Sequence, residues 1–381
     1  MKIPSFINLP IIKKIFAFLF LILLIGSGLL LIGQRERVAR SERPPEKFHT
    51  ALFFDKLSNR MVQCRLCPNQ CILSPGQIGA CKARKNIDGT LVSMVYGQIA
   101  SQHVDPIEKK PFFHVLPGAT AFSIATTGCN MQCLFCQNWE ISQRFPTEVS
   151  TTAATPQQVV DEAAASGARA IAFTYNEPTI AYEYMLDIAK LAHARGIKTL
   201  VVSNGYIEPK PLKELLPYIN AYKIDFKGFD EDFYRTMTRG KLQPVLESMK
   251  TIKQTGVWLE VVTLLITGQN DSDDQIRSLS RWVKDNLGPD VPLHFSRFFP
   301  QYKMLNTPPT ADARVIRART IALNEGLKYV YSGNIAYPDG ETTFCPESKQ
   351  PIIVRQGMFT TFNGLENGAC ADGEKIPGIW N

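Results

Sequence analysis

The stretch that decides the fold reads Thr127-Gly128-Cys129-Asn130-Met131-Gln132-Cys133-Leu134-Phe135-Cys136-Gln137-Asn138 and follows an apolar, strand-like run at residues 121–126. Its three cysteines have the spacing C-x3-C-x2-C. Structural zinc sites normally have four protein ligands, and this loop supplies only three. A [4Fe–4S] cluster that is held by three thiolates keeps one iron open for an external ligand. The spacing therefore indicates an iron–sulfur cluster whose open iron takes part in the chemistry.

Strand-like and helical segments alternate after this loop. The predicted strands are 121–127, 169–175, 198–204, 221–226, 257–266, 292–299 and 328–333, and the predicted helices are 156–166, 179–195, 209–217, 243–255, 272–287 and 311–325. Short apolar strands that alternate with helices form a parallel sheet with right-handed crossovers. Six or seven such units are too few for an eight-stranded barrel. We therefore expect an α/β fold, a partial open (β/α)6-type barrel at residues 121–334, with its chemistry at the carboxyl ends of the strands.

A second group of cysteines lies upstream, in a small region at residues 50–120. Cys64, Cys67, Cys71 and Cys81 have the spacing C-x2-C-x3-C-x9-C and could close a complete metal site. Three interpretations are open: a structural zinc site, an auxiliary iron–sulfur cluster, and a region without metal. The odd total of nine cysteines favours metal ligation in a reducing compartment over a disulfide framework.

The amino-terminal part of the chain contains nineteen residues without a charge, at 15–33, which is long enough for a helix to cross a bilayer. The alternative is a cleaved signal peptide, but the run exceeds a typical signal core and no small-x-small cleavage site follows. We therefore expect a membrane anchor at residues 1–34 and a charged linker at 35–49. More basic residues follow the apolar run than precede it, which predicts a single-pass membrane protein with a cytoplasmic catalytic body.

The composition is that of an ordinary folded protein, with 20% charged and 45% hydrophobic residues. At 381 residues the chain exceeds the usual size of one domain, so smaller attachments to one large domain are expected. The net charge of +7 is spread along the chain, and no basic stripe is interleaved with aromatic residues. This pattern argues against nucleic-acid binding.

The three-cysteine loop after the first strand resembles the signature of the radical S-adenosylmethionine (radical SAM) enzymes. The resemblance covers about residues 50–350. It is closest to the radical SAM member of the group named AmmeMemoRadiSam, which is related to glycyl-radical-enzyme activases such as pyruvate formate-lyase activating enzyme. The matching stretches are residues 65–68, 104–111, 133–139, 175–179 and 225–229.

This resemblance implies an enzyme that uses a [4Fe–4S] cluster bound by Cys129, Cys133 and Cys136. S-adenosyl-L-methionine (SAM) binds the open iron, and one electron from an external donor cleaves SAM to methionine and a 5′-deoxyadenosyl radical that abstracts hydrogen. The name of the group implies association with AMMECR1-like and Memo-like proteins. A protein or peptide substrate is therefore expected.

Polar residues recur where the predicted strands end, and the resemblance implies that they orient SAM. Glu177 matches the acid of a Gly-Gly-Glu-type motif, although Tyr and Asn replace the two glycines, and Asp225 and Lys227 match a D-x-K motif after the fourth strand. Asn204 and His294 are expected to take part. Taken singly, each residue also has a structural explanation, because turn-forming residues end strands and a strand histidine is usually satisfied within the fold.

Two other functions remain open. The first is a glycyl-radical-enzyme activase, although Ser203 stands where activases carry an acid. The second is a membrane-anchored electron-transfer or metal-binding module that does not cleave SAM. That module requires a fourth ligand for the loop cysteines, most simply Cys345. Ser348 replaces the second cysteine of a tail pair, so residues 335–381 are expected to be an extension without a metal site.

Overall fold

The computed structural model describes residues 48–381. In chain order its strands are β1 His49–Thr50, β2 Phe54–Lys56, β3 Val62–Cys64, β4 Ile72–Leu73, β5 Arg84–Ile87, β6 Thr90–Ser93, β7 Gln98–Ile99, β8 Ser101–Pro106, β9 Thr120–Ala125, β10 Thr152–Ala153, β11 Ala170–Phe173, β12 Lys198–Ser203, β13 Ala221–Asp225, β14 Trp258–Leu265, β15 Leu293–Arg297, β16 Val330–Gly333, β17 Thr343–Phe344, β18 Pro351–Gln356 and β19 Phe359–Asn363. Its α-helices are α1 Trp139–Ser142, α2 Pro156–Ala165, α3 Tyr182–Ala194, α4 Pro209–Leu215, α5 Glu231–Phe233, α6 Leu242–Gln254, α7 Asp273–Leu287, α8 Asp312–Asn324 and α9 Pro338–Glu341.

The main sheet has eight strands in the order β16-β15-β14-β13-β12-β11-β9-β8. Strand β9 and strands β11 to β16 run parallel, and β8 pairs antiparallel with β9 at one edge. Because β8 and β16 occupy opposite edges, the sheet is open. The strands and helices predicted between residues 121 and 334 are confirmed to within a few residues, and so is the α/β part of the predicted fold.

Local sequence signals account for several of these boundaries. Helices α2 and α7 both begin with a capping box, in which the Thr155 and Ser272 hydroxyls accept from the backbone N–H three residues later. Strand β12 carries the run Leu200-Val201-Val202, whose leucine and first valine are fully buried. Near-continuous apolar strands of this kind are typical of parallel sheets that are covered on both faces.

The amino ends of the strands are closed by residues 107–116, called the base segment below. Its apolar side chains pack against small residues at the starts of the strands, among them Ala121, Ala170 and Ala221. The Glu260 carboxylate in β14 accepts the backbone N–H groups of Phe113 and His114 at 3.0 and 2.8 Å. The base segment therefore fills the lower end of the barrel and is tied to the sheet.

The carboxyl-terminal tail lies under the same end of the barrel. The backbones of the tail and the base segment exchange hydrogen bonds, from Leu116 N to Ile379 O at 2.7 Å and from Ile379 N to His114 O at 2.8 Å. Cys345 and Cys370 form a disulfide within the tail. The odd cysteine count favoured metal ligation over a disulfide framework, and this one pair departs from that expectation.

The region before the barrel consists of two small antiparallel sheets, with strand orders β1-β6-β5 and β2-β3-β4. The second sheet carries Cys64 at the end of β3, and Cys71 immediately precedes β4. The Cys64 N–H donates to the Cys71 carbonyl at 2.9 Å, which fixes the turn between them. Short strands thus position Cys64 and Cys71.

The prediction of a transmembrane helix, and with it a single-pass membrane location, is wrong for the fold that the structure shows. Within residues 48–381, no helix is both long enough and apolar enough to cross a bilayer. The apolar run at 15–33, the anchor assigned to 1–34 and all but the last two residues of the linker assigned to 35–49 lie outside the described residues. Hydropathy measures only how favourably a segment would enter lipid, so it does not establish a spanning helix.

Candidate functional site

The three cysteines of the C-x3-C-x2-C motif lie in the loop between β9 and α1, at the carboxyl end of β9. Two side-chain amides fix this loop to the loop that follows β11. The Asn176 amide donates to the carbonyls of Thr126 and Gly128 at 2.7 and 2.9 Å. The Asn138 amide donates to the Tyr175 carbonyl at 2.6 Å. The cysteine loop is therefore anchored near both of its ends.

The middle of the loop is held from the other side of the barrel mouth. The backbone N–H groups of Gln132 and Leu134 donate to the carbonyls of Thr238 and Met237 at 2.8 and 2.9 Å. The Asn130 amide donates to the Tyr206 carbonyl at 2.7 Å and is buried. These contacts fix the path of the loop across the barrel mouth.

Two hydrogen-bond donors point at one of the three sulfurs. The Met131 N–H lies 3.4 Å from Cys129 Sγ, and the Asn204 amide lies 3.8 Å from the same sulfur. The Ser142 hydroxyl, which donates to the Asn138 carbonyl, lies 3.0 Å from Cys136 Sγ. Donors of this kind stabilise thiolate charge and tune the potential of an iron–sulfur cluster.

The spacing of the loop sulfurs suits a cluster better than a single ion. Tetrahedral zinc with bonds of about 2.3 Å holds its sulfurs about 3.8 Å apart. Cys129, Cys133 and Cys136 do not all bring their sulfurs within 4.8 Å of one another. In a [4Fe–4S] cluster each cysteine binds a different iron, so the sulfurs are held farther apart. The residues of this loop therefore fit three corners of such a cluster.

Glu177 joins the ends of β11 and β12 beside this loop. Its buried carboxylate accepts the Thr179 N–H at 2.9 Å, the Ser203 hydroxyl at 2.8 Å and the Asn204 N–H at 2.8 Å. Burial raises the pKa of Glu177, while these donors oppose the shift. Asn204 in turn donates through its amide to Asn130 Oδ1 at 2.9 Å. The structure thus brings Glu177 and Asn204 to the cysteine loop.

Asp225 and Lys227 follow β13 and form an ion pair at 3.2 Å. Lys223, two residues earlier on the same face of β13, lies 3.4 Å from the other Asp225 oxygen. Although burial opposes ionisation, the two lysines lower the pKa of Asp225. Although burial also opposes the Lys227 charge, Asp225 raises the pKa of Lys227. The Lys227 ammonium lies 6.0 Å from the centre of the Phe135 ring in the cysteine loop, so this charged group also borders the loop.

His294 is not brought together with these residues. It is the second residue of β15, and its Nε2 lies 2.8 Å from the Glu260 carboxylate near the amino ends of the strands. Although burial opposes ionisation, the hydrogen bond from His294 lowers the pKa of Glu260 to about 2. The His294 ring also packs 4.9 Å from the rings of Phe113 and Tyr331. Its contacts belong to the base of the barrel.

Two buried lysines inside the barrel were missed by the sequence reasoning. Lys223 could have been predicted from the alternation Lys-x-Asp-x-Lys at residues 223–227, because this pattern places the three side chains on one face of a strand. Lys110 contacts the Asp105 carboxylate, which also accepts the Tyr175 hydroxyl and the Lys109 ammonium. Burial lowers the pKa of Lys110 to about 8. For Lys110 the only signal was its place in a stretch that carries the family resemblance.

The structure gathers the four upstream cysteines around one cavity, which is lined by Cys64, Cys67, Cys71 and Cys81 together with Asn130 of the first loop. The predicted grouping of these cysteines is therefore reflected in the fold. The Arg84 guanidinium lies 3.9 Å from Cys64 Sγ. The same guanidinium forms a buried ion pair with Glu183 of α3. The second cysteine group is thus connected to both the first loop and the barrel.

Comparison with known proteins identifies the family. Residues 123–280 match the model of the Radical SAM superfamily. An uncharacterised Methanocaldococcus jannaschii protein, MJ0808, is 43% identical over 80% of this chain and 91% of its own length. A GTP 3′,8-cyclase of Lactiplantibacillus plantarum is 27% identical over 48% of this chain and 54% of its own length. The pyruvate formate-lyase-activating enzyme of Clostridium pasteurianum is 23% identical over 42% of this chain and 67% of its own length.

Radical SAM enzymes use a [4Fe–4S] cluster and S-adenosylmethionine, and the spacing and hydrogen bonding of the loop cysteines fit that cluster. The matched residues begin in β9, immediately before the loop, and end within α7. The chain belongs to the radical SAM superfamily of enzymes.

Proposed function

We propose that this enzyme cleaves SAM reductively to a 5′-deoxyadenosyl radical, which abstracts hydrogen from a protein or peptide substrate. The observation that carries the proposal is the juxtaposition of the cysteine loop with charged and amide groups at the carboxyl ends of β11, β12 and β13. Ligand chemistry in parallel barrels lies at this end of the strands.

Each of these groups has a distinct task. Cys129, Cys133 and Cys136 hold the cluster, which when bound supplies the electron that breaks the sulfonium bond of SAM. Glu177 interacts electrostatically with Cys129 and places a carboxylate where an ammonium group would be stabilised. Lys227 interacts electrostatically with Cys133 and offers a fixed cation. Asn204 and Asp225 supply an amide and a carboxylate for the remaining polar groups of SAM.

A protein or peptide substrate is supported by the relative named pyruvate formate-lyase-activating enzyme, since that name describes action on another enzyme. A glycyl-radical activase is the narrower form of this proposal. AMMECR1-like and Memo-like proteins are the partners that the resemblance to the AmmeMemoRadiSam group supports. An external one-electron donor is required in every form of the reaction.

The electron-transfer module that does not cleave SAM has less support. It requires a fourth thiolate for the loop cysteines, and Cys345 was its simplest source. Cys345 is paired with Cys370 in the tail, where Cys370 packs with Ile376 and with Tyr331 of β16. The disulfide removes this thiolate from the set of available ligands.

The test uses the full 381-residue chain, purified without oxygen, reconstituted with iron and sulfide, reduced with dithionite and given SAM. We expect 5′-deoxyadenosine, measured by mass spectrometry, to form in the wild type and to disappear in Cys133→Ala. Cys345→Ala is the matched control, because it also removes one cysteine but leaves the loop intact. No product from a wild-type protein with a loaded, reducible cluster would contradict the proposal. Loss of the loop cluster in Cys345→Ala would instead favour the electron-transfer module.

A further inference from the structure

We propose that Cys64, Cys67, Cys71 and Cys81 bind a second [4Fe–4S] cluster, and that this cluster passes electrons to the one held by the first loop. The choice of a cluster over zinc rests on the geometry of the cysteines alone. The electron-relay role rests in addition on the proposed function.

The sulfur spacing separates a cluster from a zinc ion. Four thiolates around tetrahedral zinc lie about 3.8 Å from one another. No three of the four upstream sulfurs all lie within 4.8 Å of one another. The three loop cysteines likewise do not all bring their sulfurs within 4.8 Å of one another. Both sets therefore suit a cluster in which each thiolate binds its own iron.

A cavity that is partly open to solvent lies between the four cysteines. Leu66, Leu73 and Ile180 line it beside the sulfurs. A side chain at Gly79 would project towards the cavity, since its Cβ would lie 3.8 Å from the sulfurs of both Cys71 and Cys81.

Four thiolates occupy all four irons of a cubane cluster, so this site has no open iron for SAM. Such a cluster is suited to electron transfer. Arg84, which donates towards Cys64 at 3.9 Å, adds positive charge beside the negatively charged thiolates. Charge and hydrogen bonds of this kind set the reduction potential of a cluster.

The second site directly adjoins the first. Gly128, immediately before Cys129, approaches the Cys81 carbonyl so closely that a Cβ at residue 128 would lie 2.4 Å from that oxygen. The Asn69 amide donates to the Asn130 carbonyl at 2.8 Å, and both residues line the cavity. The two cysteine loops are therefore in contact, which is the arrangement that electron transfer between clusters requires.

The proposed step moves one electron. The reduced second cluster is oxidised by one electron, and the first cluster is reduced by the same electron. An external one-electron reductant, such as a reduced flavodoxin-type protein or dithionite in vitro, then returns the second cluster to its reduced state. No bond is made or broken in this relay.

The first test is the metal content of the full-length wild type after anaerobic reconstitution, which requires no substitution. We expect about eight irons and eight sulfides per chain, whereas a zinc site would leave about four irons and one zinc. Mössbauer spectra should show only [4Fe–4S] clusters. One tightly bound zinc per chain would overturn the proposal.

The second test separates the clusters by substitution. Cys129→Ala/Cys133→Ala/Cys136→Ala should retain about four irons and an electron paramagnetic resonance signal that SAM does not change. Cys64→Ala/Cys67→Ala should retain about four irons and a signal that SAM does change. Circular dichroism shows whether each variant is folded. If a variant does not fold, the iron content of the wild type still tests the proposal.

The relay is tested by the rate at which a reduced flavodoxin reduces the first cluster. This rate should fall in Cys64→Ala/Cys67→Ala, and an unchanged rate would overturn the relay while leaving the second cluster in place. If both clusters load but the wild type forms no 5′-deoxyadenosine, the proposed function fails and the second metal site does not.

Discussion

The buried ion pair between Arg84 and Glu183 links the upstream cysteine region to helix α3 of the barrel. Both side chains are only 2% exposed. The Glu183 Oε1 atom also accepts the Leu52 N–H at 2.6 Å, and the Arg84 Nη1 atom donates to the Leu52 carbonyl at 2.9 Å. Removing either charge leaves the other buried without its partner, so we expect a large loss of stability.

The expected magnitude follows from this burial. Glu183→Ala should lower the free energy of unfolding by about 3–5 kcal/mol, because it leaves the guanidinium unpaired. Glu183→Gln should cost less, since the amide oxygen still accepts the Leu52 N–H. The double variant Arg84→Met/Glu183→Leu removes both charges and should lose less than the sum of its single variants, with a coupling of about 2 kcal/mol or more.

The assay is equilibrium urea unfolding of the metal-free protein, followed by far-ultraviolet circular dichroism. Arg195→Ala is the matched control, because it breaks an ion pair with Asp161 in which the two side chains are 43% and 53% exposed. An exposed pair of this kind contributes about 1 kcal/mol or less. A loss of stability in Glu183→Ala that is no larger than in this control, or additive effects of the single and double variants, would contradict the expected coupling.

Two further predictions concern pH and loop contact. Burial lowers the pKa of His114 to about 4, and its unfolded value is 6.5, so the unfolded chain binds the proton more tightly. The stability that this neutral histidine provides is complete above pH 6.5 and should fall by about 3 kcal/mol by pH 4. The urea midpoint of a His114→Gln variant should therefore change less between pH 7 and pH 5 than that of the wild type. Equal changes in the two proteins would contradict this prediction. Gly128→Ala should reduce the iron content, because its Cβ collides with the Cys81 carbonyl and its φ of 111° disfavours a side chain. Gly256→Ala is the control, because Gly256 has a φ of 80° but nothing within 4 Å of an added Cβ, so the substitution introduces backbone strain without a collision. Equal loss of iron in the two variants would argue against the loop contact.

The sequence predicted those features that depend on short-range pattern. The C-x3-C-x2-C spacing and the strand before it identified the loop of the candidate metal site, and the apolar runs between capping residues located the sheet. The D-x-K motif lies at the end of β13, and the structure places Asp225 and Lys227 beside the loop, because residues that follow parallel strands meet at one edge.

Features that depend on three-dimensional packing were not predictable in this way. His294 is near the start of its strand, and only the structure shows that the base segment brings Glu260 to it. The pairing of Cys345 with Cys370 joins residues 25 apart in a turn-rich tail. The transmembrane helix was predicted from hydropathy alone. Hydropathy describes one segment and carries no information about how the rest of the chain packs.

The filled base of the barrel has a consequence for how this protein can vary. The base segment, the tail and Glu260 hold the sheet together at one end, while the cysteine loops and the polar strand ends lie at the other. Substitutions in the loops at the mouth can therefore alter what the enzyme accepts with little cost to folding, and the base tolerates fewer changes. This division gives the scaffold capacity to acquire new substrates through its loops alone.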